Sequence, residues 1–572
     1  MRGLMQDWPM RVHRFLDHAA LYHQGARVVG RAVEGGIHRT NYSDMRGRAL
    51  KLTGALRRRG IKKGERVATL AWNTSRHIEA WFGITGAGAV YHTLNPRLFP
   101  AQIAWIANHG GAKMLMFDVC FAPLVEQIAP QLKHVETYVT LSDAAPKLKL
   151  PGKLIAYEEM LKGKEHRPGK VQSGFPGGAG GANQLNGRIR ARGRATNRKE
   201  SRWAEVDEND ACGLCYTSGT TGAPKGVLYS HRSNVLHTLL AGQSPGLGLS
   251  ASDVMLPVVP MFHANGWGIP FLAPMTGASL VLPGPKLDGA SLYEQMEGER
   301  VTVTAGVPTV WLLLLQYLQT NRLDLTHLKR VLIGGAAAPP AMIQAFEDRG
   351  ITVTHAWGMT ETSPLGTMAA IKPPLDQMPR EQQLEYQCKQ GYPLFGVELK
   401  ITDDKGKERS RDGKSVGRLK VKGPAIARGY YKGTGKEAFD REGWFDTGDV
   451  ASIDAHGFMT ITDRSKDVIK SGGEWISTIE IENLAVGHPD VAEAAVIGVP
   501  HPKWNERPLL IVVAKKGATP THEALIAHLS GRIAKWWLPD ATVVVEEIPH
   551  TATGKIQKTQ LRRQFADFRL GG

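Results

Sequence analysis

The sequence predicts an α/β protein. A large N-terminal domain of parallel and mixed sheets flanked by helices, with an antiparallel β subdomain, precedes a small α+β C-terminal domain. Three observations carry this reading. Apolar runs alternate with amphipathic stretches from residue 60 to 140 and again from Val254 to Gly358, the rhythm of strand–helix–strand units with parallel pairing. After Gly391 short segments alternate around Asp404-Lys405-Gly406 and Asp412-Gly413, which reads as antiparallel hairpins. A charged cluster, Asp463-Arg464-Ser465-Lys466-Asp467, then precedes a final unit of ordinary domain size, so the domains are read as 1–463 and 464–572.

The elements follow in order. Arg66 to Trp72 reads as a strand, with Asn73 and Ser75 as cap candidates for a helix whose inward face is Ile78, Trp81, Phe82 and Thr85. Ala89 to Thr93 is the next strand, a helix starts near Pro100, and Met114 to Phe117 is a strand again. In the second block the strands are Leu280–Leu282, Val301–Val303 and Val331–Ile333. Val307 to Leu318 is too short to cross a membrane and reads as a buried core helix. Glu398–Thr402 and Gly417–Gly423 are the hairpin strands. The final unit holds strands at Ala494–Val499, Leu509–Val513 and Thr542–Val545 and a helix from Thr521.

The chain has 572 residues, 42% hydrophobic and 22% charged, an ordinary soluble composition. Four cysteines cannot frame a disulfide scaffold. Cys212 and Cys215 lack the partners of a zinc site and read as packing residues of a strand. Met1 to Ala20 lacks the apolar core of a signal peptide, so a cytoplasmic location is expected. The net charge of +17 raises nucleic-acid binding, but ten Lys/Arg against two Glu between Lys164 and Arg202 supply +8 of it. That Arg/Gly-rich tract has no periodicity and no aromatic platform, so it reads as a disordered insertion at 164–202 and no nucleic-acid partner is expected.

The chemistry begins at Tyr216-Thr217-Ser218-Gly219-Thr220-Thr221-Gly222-Ala223-Pro224-Lys225-Gly226. Glycines let backbone N–H groups converge on an anion, hydroxyls add donors, and Lys225 adds a compact charge. The spacing is not that of a Walker loop, which needs Gly-Lys followed by Ser or Thr. Downstream lie His355-Ala356-Trp357-Gly358-Met359-Thr360-Glu361, Trp444-Phe445-Asp446-Thr447-Gly448-Asp449, the Asp463–Asp467 cluster and Pro549-His550-Thr551-Ala552-Thr553-Gly554-Lys555.

In order and spacing these five motifs resemble the adenylate-forming superfamily of acyl-CoA synthetases, luciferases and peptide-synthetase adenylation domains. Pro260–Trp267 and Lys470–Trp475 resemble its medium- to long-chain fatty acid–CoA ligase branch, close to methylmercaptopropionate–CoA ligases. The resemblance implies a mobile small domain and a two-step reaction: a carboxylate attacks the α-phosphate of ATP, then coenzyme A displaces AMP. It also implies the roles. Thr217, Ser218, Gly219, Thr220, Thr221, Gly222 and Lys225 hold the β- and γ-phosphates. Thr360 contacts the α-phosphate, Glu361 ligates Mg²⁺, and Lys555 is the catalytic cation of adenylation. Asp449 takes the ribose hydroxyls with help from Arg464. Gly335, Ala336 and Ala337 edge the adenine, and Trp357, followed by Gly358 and Met359, offers it a ring face. Lys466 is the hinge, Gly472 and Gly473 line the pantetheine tunnel, and His263 gates the acyl carboxylate.

The acyl pocket is bounded by absences. Phe262 to Trp267 holds no aspartate for an amino-acid ammonium, and Gly358 stands where acetate-specific relatives carry tryptophan. A medium-chain acid, or else a long-chain or small apolar one, is therefore expected, acting with ATP, Mg²⁺ and coenzyme A. A homodimer with weak peripheral membrane contact is the expected state. The rival readings are an acyl-adenylate former that loads a carrier protein, phosphoryl transfer releasing ADP, and an RNA-binding or scaffold protein using the Arg/Gly tract.

Overall fold

The computed structural model describes residues 1, 3–162, 202–217, 224–244, 246–464, 467–471, 474–550 and 556–570. The Arg/Gly tract, apart from Arg202, lies outside the described residues.

Two large sheets are built from strands between Arg27 and Pro393. In the seven-stranded sheet, Lys153–Ala156, Thr137–Thr140, Ala112–Phe117, Arg66–Leu70, Val90–Thr93 and Ala211–Tyr216 run parallel, and Gly226–Ser230 closes one edge antiparallel. The nine-stranded sheet has a parallel core of Arg27–Arg31, Ser279–Leu282, Val254–Pro257, Val303–Gly306, Arg330–Gly334 and Thr352–Gly358. Its central strands are near-continuous apolar runs because helices cover both faces. Trp81, on the helix Ser75–Gly86, stacks on Tyr91 at 4.3 Å and 5° within one large core. Emptying a site of that size costs about 3–5 kcal/mol.

Asn73 joins the two sheets and is not the cap expected of it. Its Nδ2 donates to Pro257 O and Val259 O at 2.9 and 2.8 Å, and its Oδ1 accepts from Met261 N at 2.7 Å. Thr74 caps the helix instead, accepting from His77 N at 3.3 Å. The expected core helix runs Pro308–Asn321 and is only one-sided: Trp311, Leu314 and Leu318 are buried while Leu313 is 52% exposed. The strand expected at Val301–Val303 runs Val303–Gly306, and Val301 packs into the core before it.

Later in the chain, Glu398–Thr402, Gly417–Lys422, Phe445–Ile453 and Met459–Arg464 make an antiparallel four-stranded sheet. A last sheet starts at Ile469–Ser471 and is built around the long hairpin Val491–His501 and Asn505–Ala514, with Ala541–Val545 added parallel. Thr521 caps the helix His522–Leu529 as its position predicts.

Candidate active site

Strand Ala211–Tyr216 leads into the glycine- and hydroxyl-rich segment that ends at Lys225. Cys212 and Cys215 are fully buried in it, as packing residues should be. At its end Thr217 N donates to Lys225 O at 2.9 Å and Lys225 N donates to Thr217 Oγ1 at 3.1 Å. This reciprocal pair closes the base of the loop. Ser218, Gly219, Thr220, Thr221 and Gly222 lie outside the described residues. The Lys225 ammonium stands 4.9 Å over the Tyr430 ring and 3.8 Å from Glu437 Oε1. Gly435 passes so close that a Cβ would come within 2.7 Å of Lys225 Nζ, and its φ of +63° suits glycine.

Tyr430 connects this cation to the acidic turn. Its Oη donates to Glu361 Oε1 at 2.6 Å, and both side chains are buried. The Thr360–Thr362 turn is held from two sides, by Tyr229 Oη on Thr360 O at 2.6 Å and by Ala427 N on Glu361 O at 2.8 Å. Glu361 therefore offers a hard oxygen donor on a fixed backbone. No group of three acidic, histidine or cysteine side chains that could hold a metal occurs among the described residues. One carboxylate completed by phosphates and water is the donor set that suits Mg²⁺.

Asp449 comes from an inner strand of the antiparallel sheet and is buried beside Trp357, whose Nε1 donates to Asp449 Oδ2 at 3.2 Å. The indole thus presents its N–H edge to the carboxylate. Arg464 is the direct cross-strand neighbour of Asp449. Gly335, with φ +82°, turns the chain out of strand Arg330–Gly334, and the carbonyl of Ala336 meets His355 Nε2 at 3.3 Å. Ala337 follows in the same turn, and Met359 packs against the core under Trp357. Any side chain at Gly358 would collide with the Pro364 carbonyl, so backbone packing alone accounts for this glycine.

His263 lies where the two sheets meet. Asn73 fixes Met261, and Phe262 packs edge-on against Trp72 at 5.8 Å. Trp72 is itself clamped at its backbone, its N donating to Asp118 Oδ2 at 2.7 Å and its O meeting His77 Nδ1 at 2.9 Å. From Ala264 to Gly268 the chain runs through positive φ values of 39° to 73°. Burial pushes the Cys215 thiol up, opposed by the Thr93 hydroxyl and by the backbone of Ala264 and Asn265. The turn after His263 therefore packs against strand Ala211–Tyr216.

Lys466, Gly472, Gly473 and Lys555 lie outside the described residues, as does the side chain of Arg464. Tyr430, Tyr229 and Asn73 were invisible in the sequence as site residues. Their partners stand 69, 131 and 184 to 188 positions away. A tyrosine beside glycine, as in Gly429-Tyr430, is the faint signal for the first.

Residues 11–431 match the AMP-binding enzyme family and residues 480–555 match the AMP-binding enzyme C-terminal domain. The chain is 45% identical to a 3-methylmercaptopropionyl-CoA ligase of Ruegeria pomeroyi over 100% of both chains. It is 45% identical to a long-chain-fatty-acid–CoA ligase of Thermus thermophilus (99% of this chain, 97% of the relative) and 42% identical to a medium-chain-fatty-acid–CoA ligase of Ectopseudomonas oleovorans (100% and 98%). The fold matches the crystal structure of the anthranilate CoA ligase AuaEII in complex with anthranoyl-AMP with a TM-score of 0.82 at 24% identity, over 99% of each chain.

Proposed function

The chain belongs to the AMP-binding enzyme family, and from that premise we infer that it is an AMP-forming acyl-CoA ligase using ATP, Mg²⁺ and coenzyme A. The observation that carries the reading is one tyrosine: Tyr430 lies under the Lys225 ammonium while its hydroxyl donates to Glu361. A cation suited to phosphate and a carboxylate suited to a metal, far apart in sequence, thereby meet the ring and the hydroxyl of one side chain.

The substrate carboxylate attacks the α-phosphorus of ATP and pyrophosphate leaves; the coenzyme A thiol then attacks the acyl carbonyl, releasing AMP and a proton. Charge gathers on phosphate oxygens in the first step, where preorganised donors and cations lower the barrier most. Thr217 and Lys225, with Ser218 to Gly222, hold the β- and γ-phosphates, and Thr360 orients the α-phosphate. Glu361 would hold Mg²⁺, which supplies charge neutralisation on the phosphates. Asp449 accepts from the ribose, with Trp357 setting its orientation and Arg464 assisting. Gly335 to Ala337 border the adenine beside Gly358 and Met359, and His263 faces the acyl carboxylate.

Lys555 supplies the positive charge for adenylation from a small domain, residues 464–572, that turns about Lys466 on the large domain, residues 1–463. The handover from strand Met459–Arg464 of one sheet to Ile469–Ser471 of another supports that division. Gly472 and Gly473 then border the pantetheine path. The substrate is a medium-chain acid, or else a long-chain or small apolar one, the range spanned by the named relatives. No helix of the described residues is long and apolar enough to cross a membrane, and all four cysteines are free thiols. Both suit a cytoplasmic location; a homodimer with at most peripheral lipid contact is the assembly proposed.

The test is a panel of acids from acetate to palmitate, with 3-methylmercaptopropionate, incubated with ATP, Mg²⁺ and coenzyme A. An acyl-CoA product with stoichiometric AMP is expected. Release of ADP, or failure of every acid to drive pyrophosphate–ATP exchange, overturns the reading.

A further inference from the structure

The C-terminal helix Lys558–Gln564 carries a buried charge that the reaction described above leaves unused. Lys558 Nζ pairs with Glu482 Oε1 at 2.8 Å and donates to the Thr478 hydroxyl, with side-chain exposures of 10% and 12% for the ion pair. Thr478 passes the contact on: its Oγ1 and its N donate to Asp463 Oδ2 at 2.5 and 3.0 Å. Glu482 also accepts from Val496 N at 2.7 Å. Four side chains from strand Met459–Arg464, helix Thr478–Val486 and the last helix thus form one continuous polar chain.

This chain is expensive. Burial pushes the Glu482 carboxyl up to about 7 even with Lys558 beside it. Apolar residues of the same volume are commonly as stable as a buried ion pair or more so, so stability alone gives little reason for one here. Its position supplies a reason. Lys558 follows Lys555 by three residues, and Asp463 precedes Lys466 by three. On the other flank of the hinge, Asp467 Oδ1 pairs with Arg562 Nη1 of the same helix at 2.6 Å. The helix is therefore tied to both aspartates that bracket the hinge.

Its N-terminal end also forms the base from which the Lys555 segment departs. His550 and Ile556 pair as a β-bridge, Gln557 N donates to Pro549 O at 2.7 Å, and His550 Nε2 pairs with Glu493 Oε1 at 2.5 Å. Lys558 is the next residue after Gln557 and opens the last helix.

We propose that Lys558 is a positioning residue for adenylation: through Glu482, Thr478 and Asp463 it fixes the base of the Lys555 segment relative to the hinge. The inference rests on the assignment of Lys555 as the adenylation cation. A misplacement of about 1 Å in a reacting group costs on the order of a hundredfold in rate, so a loosened base should be felt in the first half-reaction. The second half-reaction, which does not use Lys555, should be spared.

The experiment measures both half-reactions in the full-length enzyme. Pyrophosphate–ATP exchange with octanoate reports adenylation, and octanoyl-CoA formed from supplied octanoyl-adenylate reports thioester formation. Lys558→Met should lower the exchange kcat at least tenfold, leave the octanoate KM within twofold, and leave thioester formation within twofold. Lys558→Arg should recover most of the exchange. Because Lys558→Met strands a buried carboxyl, the neutral pair Lys558→Met with Glu482→Gln is measured beside it and should show the same selective loss. Exchange within twofold of wild type in the neutral pair, or equal losses in both halves, overturns the inference. Lys555→Ala separates the two levels: if it keeps exchange, the Lys555 assignment falls and the inference with it. If it loses exchange while the Lys558 variants keep theirs, the Lys558 role alone falls.

Discussion

Tyr430 and Glu361 share a 2.6 Å hydrogen bond in the wall of the site, the phenol donating and the carboxylate accepting. Hydrogen bonds to charged groups contribute about 1.5–3 kcal/mol, so this one holds Glu361 in a defined orientation. Tyr430→Phe keeps the ring under Lys225 and removes only the donor. Adenylation should fall about tenfold, and the Mg²⁺ concentration for half-maximal exchange should rise severalfold. A Mg²⁺ titration with an unchanged midpoint would show that the tyrosine does not orient the metal ligand.

The edge contact of Trp357 on Asp449 leads to a second expectation. An indole N–H on a buried carboxylate limits the directions in which that carboxylate can accept from a ribose. Trp357→Phe retains an aromatic face and loses the N–H. The KM for ATP should rise about three- to tenfold with kcat nearly unchanged, since the nucleotide is bound equally in ground and transition states. A fall in kcat at constant KM would place Trp357 in the chemical step instead.

What could be read from the chain alone divides by range. Strands such as Glu398–Thr402, and Val331–Ile333 within Arg330–Gly334, are visible because a buried strand is written in consecutive or alternating apolar residues. The motif residues were visible because glycine, hydroxyl and charge cluster within a few positions. Asn73 was misread because asparagine before a helix is usually a cap, and nothing local reveals carbonyls of residues 257 and 259 waiting for its amide. Tyr430 was missed for the same reason: its ring sits in one aromatic cluster with Phe439 and Phe445, so its composition reads as core while its hydroxyl serves the site.

The two halves of the reaction should be separable by mutation. Lys555→Ala should cripple adenylation by about a hundredfold or more, as the loss of a preorganised electrostatic donor does, and spare conversion of supplied acyl-adenylate to thioester. Lys466→Pro should do the reverse, because a fixed φ obstructs rotation at the hinge. Half-reaction assays on both variants decide this. Equal loss in both halves for Lys555→Ala, or an intact thioester step in Lys466→Pro, would contradict the division of labour.

Asp118 predicts a pH dependence of stability. It is 1% exposed, its Oδ2 accepts from Trp72 N, and burial pushes its carboxyl up to about 7, with Arg76 opposing and Glu34 adding to the shift. The folded protein therefore keeps this proton up to about pH 7, while the unfolded chain releases it near pH 4. Between those values the native state binds more protons than the unfolded one, so this group's contribution to stability falls as pH rises. Asp118→Asn retains an oxygen for Trp72 N and never ionises. The Tm of the variant minus that of wild type should accordingly be more positive at pH 8 than at pH 5, most of the change falling below pH 7. Taking the difference removes the opposite slope from buried neutral histidines such as His77, which burial lowers to about 4. A difference that is flat across this range, or that slopes the other way, would mean that Asp118 is ionised in the folded protein throughout.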